Sequence, residues 1–194
     1  MGSLSERTRA ERADAAANRV RILDAAREVF AARGLEAEIK DIAARANVGV
    51  GTLYRHFDSR DDLLDALVRE TRDEMLDRFR TVVRDQPPEA AFRAIIHASG
   101  EKFERFGALV DVAMAGRLPG AGESIDEFKA LMSDLLQRGM AGGTFRADLD
   151  AEVAIAALES IFHSGNMADL IARRSLAPAC DAIADFFLAA FRGR

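Results

Sequence analysis

The stretch IKDIAARANVGVGTLYRHF, residues 39–57, decides the fold that we expect for this chain. It begins with apolar residues at the i, i+3, i+4 and i+7 positions of one helical face: Ile39, Ile42, Ala43 and Ala46. Asn47 follows at once, and asparagine tolerates the left-handed backbone conformation that ends a helix. The pattern therefore predicts a short helix that ends in a tight turn.

A second short helix is predicted directly after this turn. Val48, Leu53 and Phe57 form its apolar set. The positions between them hold residue types that a buried helix does not favour: Gly49, Val50, Thr52, Tyr54, Arg55 and His56. A helix-turn-helix needs this arrangement, because its first helix supports the second, which turns a polar face to the major groove of DNA.

Composition indicates a soluble, all-α protein. The 194 residues are 49% apolar and 30% charged, with only four Pro and no Trp. No apolar run approaches the roughly 18 residues that span a membrane, and no secretory signal is visible. The single cysteine, Cys180, excludes an internal disulfide framework and suits the cytoplasm, where we expect the protein to be.

The charge distribution restricts where DNA can bind. The net charge of −5 argues against a general nucleic-acid binder. Residues 1–60, however, hold eleven Lys and Arg against nine Asp and Glu, whereas the remainder holds sixteen against twenty-three. Only the N-terminal third can therefore attract phosphates.

Nine helices are expected in all. One covers residues 18–33 and ends at Gly34, and a long one begins near Arg60, where Ser59 and Asp62 form a capping box. It continues to about residue 84. Further apolar periodicities predict helices at 89–105, 106–116, 123–139, 149–172 and from Pro178 to about 191. Residues 1–17 are expected to be a flexible arm or a frayed helix start, which either reaches a minor groove or is simply solvated.

Several residues between about 18 and 70 have the order and spacing of one family motif: Gly34, Asp41-Ile42-Ala43, Ala46, Val48, residues 51–57 and Asp62-Leu63-Leu64. In them the chain resembles the tetracycline-repressor (TetR) family of transcriptional regulators. The resemblance implies an all-α, nine-helix protein. Its helix-turn-helix domain would be 18–60, and 61–194 would bind a ligand and form a dimer. Residues beyond 70 match only in length, helix number and apolar character.

Two positions depart from the family pattern. Asn47 stands at the turn position that is usually Gly, which is compatible with the same backbone conformation. Ala37 and Glu38 stand where a Thr or Ser usually begins the second helix. The missing cap costs about 1 kcal/mol, and a phosphate contact from that hydroxyl is lost as well.

The motif also implies which residues contact DNA. By position these are Thr52, Tyr54 and His56, with the last two mostly on phosphates. Arg55 is expected to contact base edges, because it lies opposite the apolar residues of its helix. The complete expected set is Lys40, Arg45, Gly49, Val50, Gly51, Thr52, Tyr54, Arg55, His56 and Arg60. Alternatively, Tyr54 packs at the domain edge, Arg45 is a solvated charge and His56 caps its helix.

A ligand pocket is expected in residues 61–194. Large apolar residues are its candidate lining, with three polar groups to orient a ligand: Phe79, Phe92, Ile96, His97, Phe103, Phe106, Met114, Phe128, Met132, Phe162, His163 and Asn166. Each of these residues can equally be ordinary core. The existence of a cavity follows from the family resemblance, and its lining suits a small, largely hydrophobic effector.

A homodimer is expected because one helix-turn-helix is too small for tight specific binding. Two copies on adjacent major grooves, about 34–36 Å apart, would bind a pseudo-palindromic operator. The expected surface is 149–172 with 177–191, packed as a four-helix bundle across a two-fold axis. We expect a ligand-released repressor, with activation as the alternative.

Other classes of function are disfavoured. The chain lacks a nucleophile elbow, a phosphate-cradling loop, a dinucleotide fingerprint and a metalloprotease motif, so no enzyme and no cofactor are expected. His97 and Glu101, four residues apart, can share a metal if His163 or Asp111 adds a ligand, but an i,i+4 hydrogen bond is the simpler interpretation. A regulator that binds DNA without a metal or other ligand remains an alternative.

Overall fold

A computed structural model describes the backbone of residues 4–114, 121–161 and 164–192. Within these ranges the side chains of residues 105–114, 121–125 and a few other positions are not described. The described residues form nine α-helices and a short 3-10 turn at Gly34–Glu36, without a strand. The helices are α1 (Leu4–Arg33), α2 (Ile39–Arg45), α3 (Val50–His56), α4 (Arg60–Asp85), α5 (Pro88–Met114), α6 (Ala121–Ala141), α7 (Ala151–Ile161), α8 (Ser164–Arg174) and α9 (Leu176–Phe191).

The chain divides into two compact units, an N-terminal unit of Met1–Glu70 and a C-terminal unit of Thr71–Arg194. The division falls within α4. In the described part of the chain, no helix combines the length and the apolar character that crossing a membrane requires.

The predicted helix-turn-helix is present in the N-terminal unit as α2 and α3. Asn47 has a φ of 54°, so it adopts the left-handed conformation expected at the turn. Gly34 has a φ of 57° directly after α1, as expected of a residue that ends a helix. The missing cap of α2 is also confirmed, because the side chain of Glu38 makes no capping hydrogen bond.

Helix α1 is longer than the predicted 18–33. It begins at Leu4, so residues 4–17 continue the helix, which favours the predicted alternative of a helix start over a flexible arm. The physical reason is composition, since these residues are mostly Ala, Arg and Glu, which are strong helix formers.

The start of α4 is where the capping box predicted it. The Asp62 backbone N–H donates to Ser59 Oγ at 3.0 Å, and the Asp58 N–H donates to the Asp62 carboxylate at 3.2 Å. The helix then runs to Asp85, and Pro88 is the first residue of α5. Proline suits that position because its missing N–H has no intrahelical partner there.

Two predicted helices, 89–105 and 106–116, are wrong as separate elements. They form one continuous helix, α5, which packs against α6, α8 and α9. An interior glycine such as Gly107 costs about 1 kcal/mol, which packing on several sides of α5 outweighs.

The predicted single helix 149–172 corresponds to α7 and α8. Helix α7 ends at Ile161 and α8 begins at Ser164, and residues 162–163 between them lie outside the described residues. The Asn166 side chain donates to the Ser160 carbonyl at 3.0 Å and so satisfies an acceptor near the end of α7. The last helix, α9, starts at Leu176, two residues before the predicted Pro178.

The C-terminal unit is built around α5 and α9. Their contact includes the ring pair Phe92 and Phe191, with centroids 5.1 Å apart, and the Phe145 ring centroid lies 5.5 Å from that of Phe191. Phe187 also packs against both Phe92 and Phe191. Such aromatic pairs add roughly 0.5–1.5 kcal/mol each beyond the apolar area they bury.

Candidate DNA-binding surface and apolar core

Helix α3 is held in the N-terminal unit by two buried side chains and exposes most of its other residues. Leu53 is 0% exposed and Phe57, directly after the helix, is 1% exposed. Val50, Gly51, Tyr54 and Arg55 are exposed, and Thr52 and His56 are half-buried. One side of α3 thus anchors it, and the opposite side is available to a partner.

Arg55 is on the exposed side of α3, opposite Leu53 and Phe57. It makes no ion pair within the described residues. Tyr54 is 47% exposed, so only part of its ring contacts protein. Beside them, a Cβ added to Gly51 would meet nothing within 4 Å. An exposed arginine, a phenol and an open glycine on one helical face can together approach a DNA groove.

Two predicted cations on α2 form ion pairs at the surface. Lys40 Nζ lies 2.7 Å from the Glu38 carboxylate, and both side chains are exposed. Their hydrogen bond, then their Coulomb attraction, raises the pKa of Lys40 and lowers that of Glu38. Arg45 pairs with Glu28 of α1. Phosphates would have to compete with these carboxylates for either cation.

Arg60 makes intramolecular contacts at the start of α4. Its Nε donates to the Ala37 carbonyl at 3.4 Å, and its guanidinium lies 5.5 Å from the centroid of the Phe30 ring. Arg60 therefore connects three segments of the N-terminal unit, which the motif alone did not indicate.

Arg19 is a cation that sequence reasoning missed. Its guanidinium lies 4.6 Å from the ring centroid of Phe57, beside the C-terminal end of α3. This is a cation–π contact between residues far apart in the sequence. No local pattern marks it; the only signal was the cluster of arginines in the first sixty residues.

The predicted pocket residues lie largely in the packed core of the C-terminal unit. Five of them are buried members of one apolar cluster: Phe79, Phe92, Ile96, Phe103 and Met132. Phe128 is partly buried and packs against Phe79, with ring centroids 5.9 Å apart. Phe106 and Met114 lie on α5, but their side chains, and all of Phe162 and His163, lie outside the described residues.

Two of the predicted polar groups of the pocket, His97 and Asn166, have partners elsewhere. His97 Nε2 is 2.9 Å from the Asp181 carboxylate, and Glu101 pairs with Arg78 at 3.2 Å. The two residues thus do not form the i,i+4 hydrogen bond that the sequence suggested. Asn166 is exposed and bonds to Ser160. Within the described residues, no three His, Cys, Asp or Glu side chains cluster as metal ligands do.

Comparison with known proteins identifies the architecture. The family model described as bacterial regulatory proteins, tetR family, matches residues 22–67. The HTH-type transcriptional repressor KstR2 of Rhodococcus jostii (strain RHA1) is 31% identical over 146 residues, which are 70% of this chain and 72% of that protein. The chain belongs to the TetR family. The sequence-based assignment is therefore confirmed, together with the all-α, nine-helix fold class.

Solved structures extend this likeness beyond the helix-turn-helix. A TetR regulatory protein from Mycobacterium vanbaalenii is 29% identical with a TM-score of 0.66, covering 94% of this chain and 99% of that one. The ketosteroid transcriptional regulator KstR2 of Mycobacterium tuberculosis is 25% identical with a TM-score of 0.63, covering 91% and 95%. Both regions of this TetR-family chain thus have counterparts in related regulators.

Membership of the TetR family assigns the general activity. The family consists of DNA-binding transcriptional regulators, not enzymes, so this protein is a DNA-binding transcriptional regulator. Such regulators act on DNA operators in response to small molecules. Helix α3 of this TetR-family protein lies within residues 22–67, the part of the chain that the family model matches.

Proposed function

We propose that this regulator is a homodimeric repressor that binds a pseudo-palindromic operator and is released by a largely hydrophobic small molecule. One observation carries the proposal: α3, a helix of the TetR motif, buries Leu53 and leaves Tyr54 and Arg55 exposed. Repression is supported by the related KstR2 of Rhodococcus jostii, which is named a transcriptional repressor.

The DNA contacts are assigned by chemistry. Arg55 offers a guanidinium that can donate two hydrogen bonds to a guanine edge, and the Thr52 methyl can meet a thymine methyl. Tyr54 and His56 donate to phosphates, which position α3 without selecting a sequence. The other predicted positions, Lys40, Arg45, Gly49, Val50, Gly51 and Arg60, surround or support this face.

The dimer surface is proposed on α7, α8 and α9, in the segments 149–172 and 177–191. Phe186 on α9 is 69% exposed and Val153 on α7 is 62% exposed, and both are large apolar side chains. Small neighbours, such as Ala157 on α7 and Ala190 on α9, are also exposed and permit close approach of a second copy. Exposed apolar surface of this kind favours association.

Release by a ligand is proposed as a population shift. A ligand that binds better to a conformation with wrongly spaced recognition helices lowers DNA affinity by the coupling free energy, typically about 1–3 kcal/mol. Helix α4 is the proposed lever, because it starts three residues after the end of the helix-turn-helix at Phe57 and supplies Phe79 to the C-terminal core. A hydrophobic effector fits both this apolar core and the ketosteroid regulator among the relatives.

The test is selection of operator fragments from genomic DNA, followed by competition with ligands. We expect one or a few pseudo-palindromic sequences to be retained, and an apolar compound such as a steroid ketone to release them. If fragments are selected but no apolar compound releases them, the protein belongs to the alternative class that binds DNA without a ligand. Selection of no sequence at all contradicts the proposal.

A further inference from the structure

A cavity of about 240 Å³ lies between α4 and α5 within the C-terminal unit. Met75 and Ala98 contribute its apolar surface, and four charged residues complete most of the lining: Glu74, Arg78, Glu101 and Lys102. Whole ligand pockets usually measure about 300–1,000 Å³, so this space suits one end of a ligand or a short molecule.

Lys102 is the unusual member of this lining. Burial, and secondarily repulsion by Arg72, lowers the pKa of its ammonium to about 8. Glu101, its neighbour in the chain, already pairs with Arg78 at 3.2 Å. In the described part of the chain, no ion pair joins Lys102 to any carboxylate. A desolvated ammonium without a counter-charge is costly, and an incoming anion offsets that cost.

The geometry points to an anion-binding subsite, in which Lys102 pairs with the carboxylate of an amphipathic effector while its apolar chain contacts Met75 and Ala98. The inference deepens the proposed function by naming the effector class, and its regulatory meaning rests on that function. Because α4 supplies one wall of the cavity, occupancy of the subsite acts on the helix proposed as the lever.

The test uses octanoate and its neutral near-isostere octanamide, with binding to the full-length protein measured by calorimetry. We expect octanoate to bind about tenfold more tightly than octanamide, because only the carboxylate can pair with the ammonium. Lys102→Met is expected to abolish this preference while leaving octanamide binding unchanged. The matched control is Lys129→Met, which removes an exposed lysine on α6 that already pairs with Glu159.

Several outcomes would overturn the inference. These are equal affinity for octanoate and octanamide, no binding of either compound, or octanoate binding that survives Lys102→Met in a variant whose circular dichroism and melting temperature show a folded protein. Tighter binding of octylammonium than of octanoate would instead assign the cavity to its carboxylates, Glu74 and Glu101.

Operator release is measured separately by fluorescence anisotropy, which distinguishes failure of the inference from failure of the proposed function. We expect octanoate to release the operator from the wild-type protein but not from Lys102→Met. If octanoate binding depends on Lys102 but does not release the operator, the subsite is supported and its regulatory role is rejected. Release that is equal for the wild-type protein and Lys102→Met rejects the subsite as the effector site and leaves the repressor function standing.

Discussion

Arg55 and Tyr54 are adjacent on α3 but are assigned different tasks. Arg55 lies opposite the buried anchors Leu53 and Phe57, where a guanidinium can reach base edges. Tyr54 carries a hydroxyl suited to a phosphate, which contributes affinity without sequence information.

Arg55→Ala should therefore relax sequence preference. We expect the loss of binding free energy to be about 1–3 kcal/mol larger on operator DNA than on random DNA, as measured by fluorescence anisotropy at fixed salt. Tyr54→Phe and His56→Ala should weaken binding to operator DNA and to random DNA by similar amounts. Arg84→Ala is a control that removes the same charge from an exposed position paired with Asp85. Equal losses on both DNAs for Arg55→Ala would reject its role at base edges.

Cys180 is the only cysteine of the chain and is fully buried on α9. Burial, with Asp181 as the next cause, raises the pKa of its thiol from 9.0 to about 11. The thiol is protonated below that value, so at pH 8 only about one molecule in a thousand carries the reactive thiolate. We expect iodoacetamide to label Cys180 only after unfolding in guanidinium. Rapid labelling of the native protein at pH 8 would show that α9 opens readily.

The helices show which local sequence signals predict where a helix begins and ends. Ser59 marks the start of α4 through side-chain chemistry within a few residues, so that start could be placed from the sequence. The unbroken course of α5 could not, because it depends on packing against three other helices.

The candidate site was predictable to a similar degree. The exposed side of α3 follows from helical periodicity, because Leu53 and Phe57 mark the buried side. The cation–π contact of Arg19 and the contacts of Arg60 join residues more than twenty positions apart, so no motif could indicate them. Lys102 pairs with no carboxylate among the described residues, and this too depends on its three-dimensional surroundings.

Alanine substitutions at two glycines on different helices distinguish a role in packing from a role in DNA contact. A Cβ at Gly139 of α6 would lie 2.0 Å from a ring carbon of Phe145, so Gly139→Ala should destabilise the fold by about 1–3 kcal/mol in guanidinium unfolding. At Gly51 of α3 the same Cβ meets nothing, so Gly51→Ala should not lower stability. It should instead weaken operator binding if the α3 backbone approaches DNA. Unchanged operator affinity would contradict that approach.

The assembled molecule is expected to be a dimer whose contact includes Phe186. Phe186→Glu places a charge in that contact and should weaken association by about 2 kcal/mol or more, as measured by sedimentation equilibrium. Val20→Glu is the matched control, since Val20 is also a large apolar residue, 53% exposed, on α1. Unchanged association in Phe186→Glu, or an equal effect of Val20→Glu, would place the dimer contact elsewhere.

In the proposed complex, two copies of α3 bind two half-sites of one operator. Hydroxyl-radical footprinting of a selected operator tests this arrangement when sedimentation also determines the number of bound chains. We expect chains bound in pairs, with protected half-sites about 34–36 Å or a multiple of that apart, and loss of both protections in Arg55→Ala. A single protected half-site bound by one chain, or uniform protection of any DNA, would rule out this arrangement.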